Sequence, residues 1–362
     1  MKVGLLIYGS LDTLSGGYLY DRRLVEHLRA CGHSVEIFSL PWRNYALHLT
    51  DNFNAGFLKR LENARLDVLI QDELNHPSLF WLNRRLRPKV SYKLVSIVHH
   101  LRCSELRPAW QNTFYRQIER LYLQTLDGFV FNSRTTQGVV ESLVAPRPSV
   151  IGYPGGDRLG ITLDPDTIQA RALEPGPLRL LFFGNLIPRK GMPTLLEALA
   201  RLKEGDWRLD VVGSLTSDPE HAAEVQAQAS ALGLQDRVTF HGAVFDDDLV
   251  PHLKAAHALV LPSSYEGFGI VYMEAAAFGL PSIASQTGAA GEIVAHGQSG
   301  YLIQPGQSHA LAAHLKHWMT HRHELAAMGQ AARRRFDQHP TWEASAETIR
   351  QYLLHMTTQC PT

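Results

Sequence analysis

Two carboxylates in this sequence bracket a glycine turn. Residues 264–274 read SYEGFGIVYME, so Glu266 and Glu274 flank Gly267-Phe268-Gly269. An apolar run at 258–261, Pro262 and two serines precede them. That pattern predicts a buried strand ending at Leu261 and a helix starting near Ile270. Glycine lets backbone pass close to a ligand. The first N–H groups of a helix lack partners and suit phosphate or hydroxyl oxygens. Helical side chains lean toward the N-terminus, so Glu274 reaches back to the same place. A carboxylate can accept both hydroxyls of a vicinal diol, which makes sugar a fitting ligand for either glutamate. The plain alternative is a surface loop followed by a solvated helical glutamate.

Three other stretches invite chemistry. Phe182-Phe183-Gly184-Asn185 closes a predicted strand, and Ile187-Pro188-Arg189-Lys190-Gly191 leads into a helix. Adjacent cations at such a turn can clamp a pyrophosphate, the Arg as a fork and the Lys as a point charge. They can equally be two solvated loop residues. The GxxxxGK[ST] pattern of a Walker A loop is absent. Ser15-Gly16-Gly17 lies between a first strand and a first helix, where glycine amides can meet phosphate. It lacks GxGxxG, which disfavours a nicotinamide-binding Rossmann domain. Val98-His99-His100 ends another apolar run, placing a histidine at the carboxyl end of a strand.

These residues need elements to hold them. The chain has 362 residues, enough for two domains, with 45% hydrophobic and 19% charged residues. Strands are predicted from Val3, Val35, Val68, Lys93, Gly128 and Val150, with helices between them. Proline and glycine then crowd residues 152–178 and mark a junction. A second series follows, with strands from Leu180, Arg208, Arg237, Leu259 and Pro281. Apolar strands alternating with helices imply doubly wound parallel sheets, which bind ligands beyond their carboxyl ends. Cys31, Cys103 and Cys360 are scattered, without the CxxC spacing of a zinc ribbon. The opening MKVGLLIYGS is too quickly polar for a secretory signal, and no run approaches a membrane span. A cytoplasmic protein is expected. Formal net charge is zero, so global charge names no partner, and no nucleic acid is expected.

Together these motifs resemble the retaining glycosyltransferases of the GT-B fold, glycosyl transferases group 1 or family 4. Glu266 to Glu274 looks like that family's E-x7-E motif, and 181–191 like its phosphate-clamp segment. Thr287-Gly-Ala-Ala-Gly-Glu292, Gly297-Gln-Ser-Gly-Tyr-Leu302 and Asn132-Ser133 look like further landmarks. The resemblance implies an α/β architecture of two Rossmann-like domains facing across a cleft. Residues 1–165 would form an acceptor-side domain and 166–340 a nucleotide-sugar domain. Residues 341–362 would form a helix crossing back to the first. It also implies a site: Arg189 and Lys190 on the donor diphosphate, and Glu274 on the ribose diol. Glu266 with the amides of Gly267, Phe268, Gly269 and Ile270 would bind the transferred sugar. Gly16, Gly17 and Gly184 would approach the donor, Val244 would help frame the nucleobase, and His99 would sit near the reaction centre. His100 stands where the family often has Asp. Reaction is expected with retention, without metal or cofactor. The co-substrate would be a nucleotide-diphosphate sugar, UDP by default and GDP second, and the acceptor an unspecified hydroxyl compound.

Two clusters look like metal sites but have simpler readings. Asp246-Asp247-Asp248 precedes a predicted helix at Leu249 and is better read as capping. His314, His317 and His321 share a helix face and read as solvated. Charge is uneven along the chain: residues 1–165 hold 20 Lys and Arg against 15 Asp and Glu. Leu79 to Lys89 mixes large apolar residues with four cations, and Trp42, Tyr45, Phe53 and Phe57 precede it. An anionic membrane surface could be met there, in competition with a helix that merely buries Phe80 and Trp81. A same-fold epimerase or a catalytically silent sugar-nucleotide-binding partner are the rival functions.

Overall fold

The computed structural model describes residues 1–13 and 15–358; Cys360 and the end of the expected final segment lie outside them. The chain divides into two compact units. The first holds Met1–Pro154 and the segment from Pro340 onward, the second Gly155–His339. The junctions therefore fall at 154/155 and 339/340, where 165/166 and 340/341 were expected.

The first unit is built on six strands: β1 (Lys2–Tyr8), β2 (Ser34–Leu40), β3 (Val68–Asp72), β4 (Lys93–Val98), β5 (Gly128–Phe131) and β6 (Ser149–Ile151). They pair in parallel in the order β2-β1-β3-β4-β5-β6. β3 is buried along its whole length, including Gln71, whose amide exchanges two 3.0 Å hydrogen bonds with Asn83. The helix Gly16–Ala30 starts at Ser15, whose hydroxyl accepts from the Tyr18 amide. It buries Tyr18, Asp21, Leu24, Val25 and Leu28, the spacing of one helical face. The last helix, Trp342–Thr358, packs in this same unit. Tyr20 meets the Trp342 ring at 5.9 Å, and Tyr352 donates to the Pro148 carbonyl at 2.8 Å.

The basic apolar stretch at 79–89 turns its leucines inward. Leu79, Leu82 and Leu86 are buried, while Trp81 is 44% exposed with the Arg84 guanidinium over its ring at 5.8 Å. Arg87 is held bidentately by Asp127, and Lys89 pairs with Glu62. Phe57 is buried, whereas Trp42 and Phe53 are exposed. Among the described residues, no helix is long and apolar enough to cross a membrane.

The second unit repeats the plan with β7 (Leu178–Phe183), β8 (Trp207–Val212), β9 (Val238–Gly242), β10 (Ala258–Leu261), β11 (Ser282–Ser285) and β12 (Gly300–Ile303). Their order is β12-β11-β10-β7-β8-β9, all parallel. The direction of winding reverses between β7 and β10, the topological switch point where α/β sheets open a crevice. β12 is a sixth strand that the sequence reading treated only as a landmark. Asp246, Asp247 and Asp248 lie inside the first turn of the helix Asp246–Ala255, not ahead of it. Phe245 holds the cap position, so the three acids act on the helix dipole and not as side-chain caps.

Two glycines allow loops to approach the switch point. Gly191 has φ of 73°, and a Cβ there would lie 2.1 Å from the Pro262 carbonyl oxygen. Gly233, elsewhere in the unit, has φ of 70° but open space around it. Both alanine variants incur the left-handed backbone penalty, about 1–3 kcal/mol at most sites. Only Gly191→Ala adds a clash with backbone. Urea unfolding should therefore show Gly191→Ala as the more destabilised variant by at least about 1 kcal/mol.

Candidate active site

At the switch point of the second unit, the loops after β7 and β10 are joined by charge. Lys190 Nζ donates to Glu266 Oε1 at 2.7 Å, and Ser263 Oγ donates to the same oxygen at 2.7 Å. Arg189 Nη1 lies 3.4 Å from Glu266 Oε2 and donates to the Tyr265 carbonyl at 2.6 Å. The Ser264 amide returns a bond to the Arg189 carbonyl at 2.8 Å. Glu266 is buried, which by itself would raise its carboxyl. The charges of Lys190 and Arg189, with the Lys190 and Ser263 hydrogen bonds, outweigh that and hold it at about 2. Burial pulls the Lys190 ammonium below its usual range, Glu266 pulls it back up, and Arg189 opposes it. With a carboxylate at 2.7 Å, the pair is ionic. Gly184, at the end of β7, would place a Cβ 3.5 Å from the Lys190 side chain.

Glycine shapes the rest of this corner. Gly288 has φ of 74°, and a Cβ there would strike the Glu266 carbonyl oxygen at 2.0 Å. The Ala289 amide donates to that same oxygen at 2.8 Å. Gly269, with φ of 92°, precedes the helix Ile270–Ala277, which carries no side-chain cap. Phe268 is buried, its ring 5.7 Å from that of His339.

Glu274 lies on this helix, yet its carboxylate is not joined to the Lys190 cluster. It is buried and accepts from Arg158 Nε at 2.7 Å. Arg158 also pairs with Asp246, in the first turn of the helix Asp246–Ala255. Burial would lower the Arg158 pKa, but Glu274 and Asp246 raise it above its usual value. Arg158 had no signal in the sequence beyond following the glycine turn at 155–156. Val244 sits in the loop before that helix.

The first unit brings Gly17 and His99 together. A Cβ on Gly17 would lie 3.4 Å from the His99 ring. Gly16 and Gly17 open the helix Gly16–Ala30. His99 follows β4, its carbonyl held by Asn132 Nδ2 at 2.7 Å and its amide by Glu73 Oε2 at 3.3 Å. Its Nε2 is turned to Asp21 Oδ1 at 3.5 Å, with Asp72 in the same cluster. Burial would lower the His99 pKa; Asp21, Asp72 and Glu73 raise it to about 9. Burial and the Asp21 charge push Asp72 up to about 7. Among the described residues, neither Asp21 oxygen accepts a hydrogen bond. Sequence reasoning missed Asp21 and Asp72. The available signal was an acid on the apolar stripe of a helix, between Tyr18 and Leu24.

Among the described residues, neither Asp246-Asp247-Asp248 nor His314, His317 and His321 brings three ligating atoms together by itself. His314 stacks on Tyr301 at 3.9 Å and His317 on His321 at 4.1 Å.

Lys190→Met should leave Glu266 buried beside one remaining cation. A broken buried pair costs about 3–5 kcal/mol, and Arg189 keeps this case near the lower end. Adding Glu266→Gln should recover part of the loss in a double-mutant cycle followed by urea unfolding. The His99 cluster predicts a pH effect. Both shifts are upward, so the native chain holds more protons than the unfolded one between the ordinary ranges and about 9. The His99 contribution is fully present below about pH 6.5 and lost as pH rises through about 9. The melting midpoint should fall between pH 6 and 9.5, and less so in His99→Gln.

Residues 164–335 match the family described as Glycosyl transferases group 1. A D-inositol 3-phosphate glycosyltransferase of Segniliparus rotundus is 32% identical over 230 residues, 62% of this chain and 51% of that one. A GDP-mannose-dependent alpha-(1-6)-phosphatidylinositol monomannoside mannosyltransferase of Mycolicibacterium smegmatis is 30% identical over 221 residues, 57% of this chain and 56% of that one. The chain thus spans about half the length of these curated relatives. A sucrose-phosphate synthase structure from Thermosynechococcus elongatus superposes with a TM-score of 0.82 at 22% identity, covering 97% of each chain, which is a likeness of fold. The chain has the GT-B fold, and residues 164–335, within its second unit, match glycosyl transferases group 1.

Proposed function

We propose that the chain is a retaining glycosyltransferase that moves a sugar from a nucleotide-diphosphate sugar to a hydroxyl acceptor. The observation carrying this reading is the Arg189, Lys190 and Glu266 cluster at the switch point of a group 1 domain. Transfer develops oxocarbenium character at the sugar carbon and negative charge on the departing diphosphate. Arg189 and Lys190 are already assembled by Glu266, so they stabilise that charge with little reorganisation. Glu266 and the amides of Gly267 to Ile270 hold the transferred sugar. Glu274 takes the ribose diol, which must replace or share the Arg158 guanidinium. His99 carries its proton and donates to the donor sugar; it is not a base. No carboxylate serves as nucleophile, and the donor phosphate helps to deprotonate the acceptor on the same face. The reaction uses neither metal nor cofactor.

The name of the Mycolicibacterium relative supports a GDP sugar at least as well as the UDP default. Exposed Trp42, Trp110 and Phe114 on the first unit support an apolar or membrane-borne acceptor at the cytoplasmic face. The pairing of Arg87 and Lys89 with acids weakens the case for an anionic surface at 79–89.

Calorimetry with UDP and GDP, and a panel of their sugars in a transfer assay, test the reading. Glu274→Gln should weaken nucleoside diphosphate binding by about tenfold, the scale of a lost hydrogen bond to a charged group. Glu266→Gln should bind nucleoside diphosphate nearly as well as the parent while losing transfer. Equal losses in both variants would show that these two roles are misassigned. Donor that is neither bound nor consumed would remove the proposal.

A further inference from the structure

Apart from the Lys190 and Glu266 cluster, three side chains of the second unit converge from three elements. They are Asp210 on β8, His241 on β9 and His252 on the helix Asp246–Ala255. One ligating atom of each lies within 4.8 Å of the others. His241 Nε2 is 2.6 Å from Asp210 Oδ1, and the two imidazole centroids are 4.3 Å apart at an angle of 58°. Asp248 stands one helical turn before His252 on the same face. β9 is an edge strand, and the Asp210 side chain is 41% exposed, so an ion can reach the cluster from solvent.

The donor set decides what would bind. Two imidazoles and one carboxylate suit zinc and its neighbours, which accept nitrogen and oxygen ligands at about 2.0–2.2 Å. Magnesium and calcium prefer oxygen alone. Three protein ligands leave a further position for water or Asp248. A simple Asp210–His241 ion pair would account for one histidine but not for the second ring beside it. We propose that Asp210, His241 and His252 form a binding site for one divalent transition-metal ion of the zinc type. The ion would tie β8, β9 and the helix together. That helix carries Asp246, the partner of Arg158, so the site stiffens a support of Glu274 without joining the chemistry.

The test uses the full chain freed of metal and titrated with Zn²⁺ against a chromophoric chelator, with Co²⁺ absorption as a second readout. One equivalent should bind. Loss of an outer-shell partner alone typically weakens a metal site 10–100-fold, so His241→Ala and His252→Ala should each cost at least about tenfold. Far-ultraviolet circular dichroism confirms that the variants fold. A different cluster of the first unit, His27, Cys31 and Glu347, serves as the control, because Arg350 already occupies Glu347 at 2.7 Å. His27→Ala and Cys31→Ser should leave the Zn²⁺ affinity and the Co²⁺ spectrum unchanged. The proposal fails if His241→Ala and His252→Ala bind like the parent, or if His27→Ala or Cys31→Ser abolishes the tight site instead.

Discussion

The ion pair between Lys190 and Glu266 is the constraint around which the second unit is arranged. β7 and β10 are neighbours in the sheet, but the chain winds away from them in opposite directions. The loops that follow therefore diverge and leave a crevice. Lys190 and Glu266 come from those two loops and close it with charge. Taking both ions out of water is costly, and the pair is tolerable only because Ser263 and Arg189 supply further partners. The backbone must come close for this to happen. Gly191 and Gly288 both adopt left-handed φ at points where any Cβ would meet a carbonyl oxygen. The same groups that make the pair affordable to fold are the groups that could receive a diphosphate.

The first unit solves a different electrostatic problem. Asp21, Asp72 and Glu73 are buried around one histidine. Three carboxylates in that space cannot all ionise cheaply, and the upward shifts of Asp72 and Glu73 register this. His99 becomes the cation that partly compensates them. A core selected for stability alone would hold apolar residues there, so the cluster reads as a functional compromise.

Glu274 shows how an intact motif can differ from the expected geometry. It has the right residue type and helix position, but Arg158 already occupies its carboxylate. A buried acid without a partner would be expensive, so the protein supplies its own cation. In the proposed donor site, a diol approaching Glu274 would exchange hydroxyls for a guanidinium that Asp246 can keep. Binding strength at that point is thus a difference between two sets of hydrogen bonds.

Much of the fold was legible in the sequence because it rests on local properties. Apolar runs such as Gly128–Phe131 are too short and too apolar for anything but a strand buried on both faces. The turn at Gly267-Phe268-Gly269 and the Arg189-Lys190 pair were visible for the same reason: their residue types and spacing sit together in the chain. β12 was not legible, since a four-residue strand beginning at Gly300 carries too little pattern. Nor was the start of the helix at Asp246, expected at Leu249, because acids are equally at home before a helix and in its first turn, whereas the helix expected near Ile270 begins there. What only the tertiary structure decided was partnership. Arg158 and Glu274, or Asp21, Asp72 and His99, are far apart in the chain and meet only once the sheets are ordered. Electrostatic energy depends on distance and burial, and sequence separation fixes neither.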